Sequence, residues 1–310
     1  MALKDTIAIG MATPQAFLSN PIDMDQVRTV VQRAEVLGFK DLWTTESILG
    51  KNNTLEPSVL LSYAAAVTTT IRLGVSVVVF PLQSPMHVAR RYGSLDQVSS
   101  GRITLGLGIG RSDSKQYATF GLPFERRVTR FTEGVQVLRA LWTEPEVNFQ
   151  GKIFQLQGAT MEPKPLQKPC IPIWMGGSHP AVLKRTAAIA DGWMGAGGNS
   201  TSEYPGLVAT LREELETIGR DPETFPTSKR IYVSISENPG VALAELKHFC
   251  HSIYGNGDNA ADQGICGTPE EVQEQLETLV DATGPDHLLL HPVSRFVEQV
   301  EAVAEVVGLK

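Results

Sequence analysis

A chain of 310 residues that is 42% apolar and 20% charged, with a mean hydropathy of −0.06, can bury a large core, which excludes an intrinsically disordered protein. No apolar run approaches the roughly 18 residues of a membrane span, and the opening Met1-Ala2-Leu3-Lys4-Asp5 lacks the long apolar segment of a secretory signal, so a cytoplasmic protein is expected. A formal charge of −7 without a basic run argues against nucleic acid or anionic membrane as partner, and three widely spaced cysteines, Cys170, Cys250 and Cys266, indicate neither a disulfide framework nor a zinc ribbon.

In chain order, residues 6–11 read as a first strand. Over 23–37, Met24, Val27, Val30, Val31, Ala34 and Val36 fall close to helical spacing, and Gly38 ends that helix. A short second strand at 41–45 is followed by a helix over about 57–69 that has Pro57 just inside its start. Residues 73–80 are β-branched and apolar on both faces, the pattern of a buried parallel strand, and Pro85 opens a helix to about 99. A fourth strand at 103–109 leads to a long amphipathic helix at 124–142, whose Val135, Leu138, Leu141 and Trp142 have core spacing.

Between about 144 and 170 the rhythm breaks into a hairpin-like alternation around Gly151 and a proline-rich stretch, which reads as an insertion rather than a domain boundary. The alternation resumes with strands at 171–175, 192–195 and 230–236 and helices at 180–190, 203–218 and about 241–253. After a Gly/Asn-rich loop at 255–264, Thr268-Pro269-Glu270-Glu271 supplies the cap, first-turn proline and acidic start of a helix to about 282. A last strand at 286–290 and a helix at 296–307 finish the chain. Eight strands, each followed by a helix across short gaps, predict an α/β fold of one domain over 1–310, a (β/α)8 TIM barrel with an inserted hairpin.

Chemistry in such barrels sits at the carboxyl ends of the strands. There, Met175-Gly176-Gly177-Ser178-His179-Pro180 joins a strand to a helix and gathers backbone N–H groups at a helix amino terminus, a phosphate cradle. The next unit repeats the pattern with Gly195-Ala196-Gly197-Gly198-Asn199-Ser200. One glycine pair alone would be an ordinary tight turn; two in consecutive units at one rim point to phosphate.

Gly106-Leu107-Gly108-Ile109-Gly110-Arg111 is not the G-x-G-x-x-G of a dinucleotide fold. Its glycines either ease strand packing or let a flat ring approach at Gly108 and Ile109, with Arg111 facing water or charging the site. Glu46-Ser47, after the second strand, can orient a cofactor ring or relay a proton, and can equally be solvated. His87, His179 and His291 border strand ends and could serve as acid or base near neutral pH. His248-Phe249-Cys250-His251 lacks a distant partner pair for zinc and reads as helix surface, so no metal is expected.

Taken as an ordered set, several segments resemble the bacterial-luciferase-like monooxygenase superfamily, especially its deazaflavin-dependent oxidoreductase branch. They are Ala34-Glu35-Val36-Leu37-Gly38-Phe39-Lys40-Asp41-Leu42-Trp43, Ser94-Leu95-Asp96-Gln97-Val98-Ser99-Ser100-Gly101-Arg102, Phe120-Gly121 with Arg126 or Arg127, Glu162-Pro163-Lys164-Pro165, Trp174-Met175-Gly176-Gly177, Ala190-Asp191-Gly192-Trp193 and Gly267-Thr268-Pro269-Glu270. The resemblance implies FMN or an 8-hydroxy-5-deazaflavin, coenzyme F-420, lying across the barrel mouth. It implies a bulge in the third strand under the ring, often with a cis peptide between non-proline residues, matched here by Ser76 and Val77. It also implies phosphate on the turns at Gly176-Gly177 and at 195–198.

One departure stands out: where deazaflavin enzymes of this kind often carry an Asp-His pair after strand two, this chain has Glu46-Ser47, so a proton donor must come from elsewhere, such as His87 or His291. Arg111 stands where some relatives have an acidic or neutral residue, which brings a substrate anion within reach.

The expected function is hydride transfer between bound F-420 and a small organic substrate, in a homodimer. A reduced-FMN monooxygenase is the alternative within the superfamily, and a barrel that binds cofactor without catalysis is the alternative outside it. A glycoside hydrolase would need two facing carboxylates at strand ends, and only Glu46 is found there.

Overall fold

A computed structural model describes every residue except 1, 16, 18, 19, 51, 52, 111–113, 196, 197 and 199. The first half alternates strictly: β1 (Ala8–Ala12), α1 (Met24–Leu37), β2 (Asp41–Thr44), α2 (Pro57–Val67), β3 (Arg72–Val79), α3 (Pro85–Val98) and β4 (Ile103–Gly108). The short helix α4 (Ser114–Thr119) then precedes α5 (Arg127–Thr143). An antiparallel hairpin, β5 (Val147–Gln150) with β6 (Gln155–Ala159), forms the inserted segment. The second half runs β7 (Ile173–Gly176), α6 (Pro180–Ile189), β8 (Gly192–Gly195), α7 (Tyr204–Thr217), β9 (Thr227–Ile235) and α8 (Pro239–Tyr254). It ends with α9 (Ala260–Gln263), β10 (Gly264–Gly267), α10 (Pro269–Thr283), β11 (His287–Pro292) and α11 (Phe296–Val306).

Eight parallel strands close in the order β1-β2-β3-β4-β7-β8-β9-β11, with β11 returning to β1. This is the (β/α)8 barrel that the alternation predicts. Strand β10 is additional. It pairs with the upper half of β9, Gly264 opposite Tyr232, whereas β8 pairs with the lower half, Gly195 opposite Lys229. The four-residue stretch between two glycines is too short to show a period, so the sequence reads as loop there; the free upper edge of β9 makes it a strand. Among the described residues, no helix is long and apolar enough to cross a membrane.

Glu35 and Arg102, both in the quoted segments, are clamps, and Glu133 is another. Glu35 accepts backbone N–H groups of Thr69, Thr70 and Ile71 at 2.6–3.0 Å, tying α1 to the entry of β3. The buried Arg102 donates to the carbonyls of Ala65, Thr68, Ile71 and Ser99 and so satisfies the ends of two helices. Glu133 on α5 accepts from the backbone N–H groups of Lys152, Ile153 and Phe154 and pins the inserted hairpin.

Inside the barrel, polarity is layered. At the amino ends, Ser228 Oγ lies 2.7 Å from His287 Nδ1, His287 Nε2 lies 3.0 Å from Asp41 Oδ1, and Trp43 Nε1 donates to the same oxygen at 2.7 Å. Above this network Trp43 and Trp174 pack with ring centroids 5.7 Å apart. They fit because Gly74 and Gly192 lack side chains: a Cβ there would lie 2.4 Å from the Trp43 ring and 2.6 Å from the Trp174 ring. The two indoles thus pack inside the barrel between this network and the cavity at its mouth.

Candidate functional site

That space is a cavity of about 390 Å³ at the carboxyl ends of β3, β4, β7, β8 and β9. On β3 the pairing with β4 shifts register between Val75 and Val78, and within this bulge the Ser76–Val77 peptide is cis. The Val77 side chain reaches across a wall of glycines. A Cβ on Gly108 would lie 2.6 Å from Val77 Cγ2, and one on Gly176 would lie 3.3 Å from Val77 Cγ1. Any larger residue at these positions would displace Val77 or fill the cavity.

The opposite wall belongs to β9. Arg230, only 7% exposed, donates from Nη2 to the carbonyl oxygen of Ser76 at 2.9 Å and to its Oγ at 2.5 Å, bracing the bulge from across the barrel. Among the described residues no carboxylate pairs with it, and its buried Nε–H has no acceptor. A buried cation with an unused donor at a cavity wall is built to meet a ligand acceptor. The Tyr232 and Tyr254 hydroxyls, 2.6 Å apart, line the same side.

The carboxyl end of β7 carries the predicted turn. Met175, Gly176 and Gly177 line the cavity, Gly177 has φ 128°, and α6 begins three residues on. His179 caps that helix, its Nδ1 accepting from the Ala181 N–H at 3.2 Å, so its ring serves the turn rather than acid–base chemistry. Ser178 lies in the turn beside the lining residues. In the next unit Gly195 and Gly198 also line the cavity. Ala196 and Gly197 lie outside the described residues, as does Arg111.

The remaining predicted residues stand apart from the cavity wall. Partly buried Glu46 accepts from the Val79 N–H at 2.6 Å and from Gln83 Nε2 at 2.8 Å, fastening the loop after β2 to the end of β3. Burial first, and the nearby Glu56 carboxylate with it, push its carboxyl up to about 7 against the opposing pull of those two hydrogen bonds. Ser47 is exposed next to it. His87 is exposed on the first turn of α3 and lines no part of the cavity. His291 sits on β11 with its Nδ1 unpaired and its ring 5.1 Å from that of Tyr232; burial, with the Arg230 charge adding to it, holds the imidazole well below its ordinary value.

Arg230, Tyr232 and Tyr254 escaped the sequence reading. A signal existed for the first: Lys229-Arg230 are two adjacent cations within a strand whose nine residues are all buried. Charges in a buried strand need a partner or a task.

The chain matches the luciferase-like monooxygenase family over residues 7–309. It is 28% identical over 302 residues to an F-420-dependent glucose-6-phosphate dehydrogenase of Kineococcus radiotolerans, covering 87% of this chain and 89% of that protein. Its fold superimposes with a TM-score of 0.85 on an F-420-dependent secondary alcohol dehydrogenase bound to an F-420–acetone adduct, at 20% identity over 98% of this chain and 99% of the other. A monooxygenase of Streptomyces bottropensis superimposes with a TM-score of 0.84 at 21% identity, over 96% of this chain and 98% of the other. With the match spanning nearly every element of the barrel, the chain belongs to the luciferase-like monooxygenase family.

Proposed function

We propose that this protein is a deazaflavin-dependent oxidoreductase that exchanges a hydride between bound coenzyme F-420 and a small organic substrate at the mouth of the barrel. The observation that carries this reading is the construction of the cavity: a bulged strand faces a glycine wall, a glycine turn leads into a helix amino terminus, and a buried guanidinium braces the bulge. The near full-length F-420-dependent relative supports the deazaflavin in preference to FMN.

A deazaflavin bound there supplies the ring carbon that takes or gives the hydride. The residues present fit it. Gly176 and Gly177 offer backbone N–H groups beside the start of α6, where phosphate is favoured, with Gly195 and Gly198 on the neighbouring turn. Val77 and Ile109 give apolar surface for a flat ring, and Gly108 leaves room for its approach. Arg230 places a fixed positive charge and a spare N–H at the bulge. Glu46 acts as a positioning residue through Val79 and Gln83. Ser47 and Arg111 are the residues we assign to the substrate, Arg111 as the cation for a substrate anion. We take the protein to work as a cytoplasmic homodimer, with the insertion part of a single domain.

The test is an anaerobic absorbance titration with F-420 and FMN in parallel, followed by a panel of alcohols and sugar phosphates. Bleaching of bound deazaflavin by substrate without oxygen is the expected result. An oxygen-dependent adduct on reduced FMN would make the protein a monooxygenase instead, and failure to bind either cofactor at micromolar concentration would leave only the non-catalytic barrel.

A further inference from the structure

Two tyrosines on the β9 side of the cavity have no part in the reading so far. The inner face of β9 carries Ser228, Arg230 and Tyr232 in turn, because alternate residues of a strand share a face. Ser228 meets His287 inside the barrel, Arg230 reaches Ser76 across it, and Tyr232 follows at the cavity. Tyr254 is the last residue of α8, which Gly255 ends at φ 79°. Its hydroxyl meets that of Tyr232 at 2.6 Å. Its ring covers Gly198 on the neighbouring rim turn, where a Cβ would lie 3.2 Å from the hydroxyl oxygen. Both tyrosines line the cavity.

Two hydroxyls carry two protons, and the bond between them uses one. Among the described residues the second proton has no acceptor, since neither oxygen makes another hydrogen bond. The side chains clustered with the two rings, Leu246, Phe249, Cys250 and Ile253, offer no oxygen. The ring of His291 lies 5.1 Å from that of Tyr232, and its buried Nδ1 has no partner either. Tyr232 is 4% exposed and Tyr254 only partly buried, which gives the free proton to Tyr254, on the open side. Burial first, and the Tyr232 hydroxyl after it, push the Tyr254 hydroxyl well above its ordinary range, so that proton stays on the oxygen.

Two residues down the strand, the Nε–H of Arg230 is the other donor of this wall without an acceptor. A ligand that fills the cavity displaces water, and each such donor then costs free energy unless the ligand brings it an acceptor. The two donors face different parts of the ligand. Arg230 bonds the bulge itself and so serves the ring, whereas the tyrosine pair makes no bond to the bulge. A ring resting on Val77 and Ile109, on the β3 and β4 side, leaves the β9 side to the substrate.

Resting on the function proposed above, we infer that the Tyr232–Tyr254 pair is the seat of the substrate's reacting oxygen: Tyr232 donates to Tyr254, and Tyr254 donates to the oxygen on the carbon that gains or loses the hydride. Held there, the oxygen fixes which face of its carbon meets the ring. The experiment uses the full-length protein loaded with oxidised F-420, which cannot reduce a ketone. Its two ligands share one shape: cyclohexanone, and methylenecyclohexane, which has CH2 in place of the oxygen. Perturbation of the cofactor absorbance gives a dissociation constant for each. Wild type is expected to bind the ketone about fivefold more tightly, the size of one neutral hydrogen bond.

Tyr254→Phe should bring the two affinities together, and Tyr232→Phe, which leaves the Tyr254 proton in place, should keep part of the difference. Both variants should bind F-420 within about twofold of wild type, and thermal melts separate loss of folding from loss of the oxygen seat. Equal affinities in wild type, no response to cyclohexanone, or a ketone preference that survives Tyr254→Phe would overturn the inference and leave the proposed function standing. A folded Tyr254→Phe variant that loses about tenfold in F-420 affinity would assign the proton to the cofactor and overturn the inference as well. Wild type that binds no F-420 would overturn the function and the inference together.

Discussion

Glu46 offers a quantitative check on the site. Its carboxyl ordinarily titrates at 4.5, and burial raises it to about 7 in the folded protein. The folded state therefore holds this proton more tightly than the unfolded chain does. The resulting stability is fully present below pH 4.5 and is lost as pH rises through about 7. The full linkage is at most about 3 kcal/mol, and solvent screening of a partly exposed carboxylate reduces it to about 1–2 kcal/mol.

Glu46→Gln removes the titration but keeps an oxygen for the Val79 N–H; Gln83 can meet the new amide only by giving up the bond its Oε1 accepts from Arg91, a cost that does not vary with pH over the range tested. Urea unfolding of both proteins at pH 5, 6, 7 and 8 tests this. The variant should gain about 1–2 kcal/mol relative to wild type across that range, nearly all of it between pH 5 and pH 8. Parallel stability curves would refute the argument, because a carboxyl already ionised at pH 5 in the folded protein would show that burial does not dominate its environment.

Arg230→Met removes an unpaired buried charge and its two hydrogen bonds to Ser76, so folding stability should change by less than about 1 kcal/mol while cofactor affinity falls about tenfold; calorimetry and titration on one sample separate the two. Gly106→Ala should cost more than about 3 kcal/mol, since its Cβ would sit 2.2 Å from the Val75 carbonyl oxygen. Gly176→Ala, with 3.3 Å to a side-chain methyl, should spare folding and weaken cofactor binding; equal melting temperatures for the two glycine variants would contradict the mapping. His287→Ala leaves the buried Asp41 carboxylate without its imidazole partner and should lower stability by about 3 kcal/mol in chemical denaturation, with little effect on cofactor affinity because the indole layer separates the network from the cavity.

The barrel was legible in the sequence because most of its eight strands are short apolar runs and most of the helices after them carry their own start signal, so local pattern shows the alternation. Pro57, Pro85 and Pro180 stand at helix starts, and Thr268 with Glu271 forms a full capping box. The glycines of the rim were legible for a related reason: Gly176, Gly177 and Gly108 sit where a strand ends, and glycine there signals a turn or a close approach. Motif likeness to known barrels pointed to the cis bond at Ser76–Val77.

What the sequence could not decide is which side chains from distant strands meet. Arg230 is 154 positions from Ser76, and nothing local indicates that one braces the other. His87 borders a strand end in the sequence, yet the helix turns it to solvent, whereas Tyr254 at the far end of α8 reaches the cavity. Glu46 looked like a mouth carboxylate free to act on a ligand, and tertiary contacts with Val79 and Gln83 make it a clamp. Local periodicity marks strands and helices because each element's side-chain repeat and end signals lie within a few residues of one another, although the strands' hydrogen bonds run to distant segments. Barrel closure alone sets the wall of the site, by bringing β9 opposite β3.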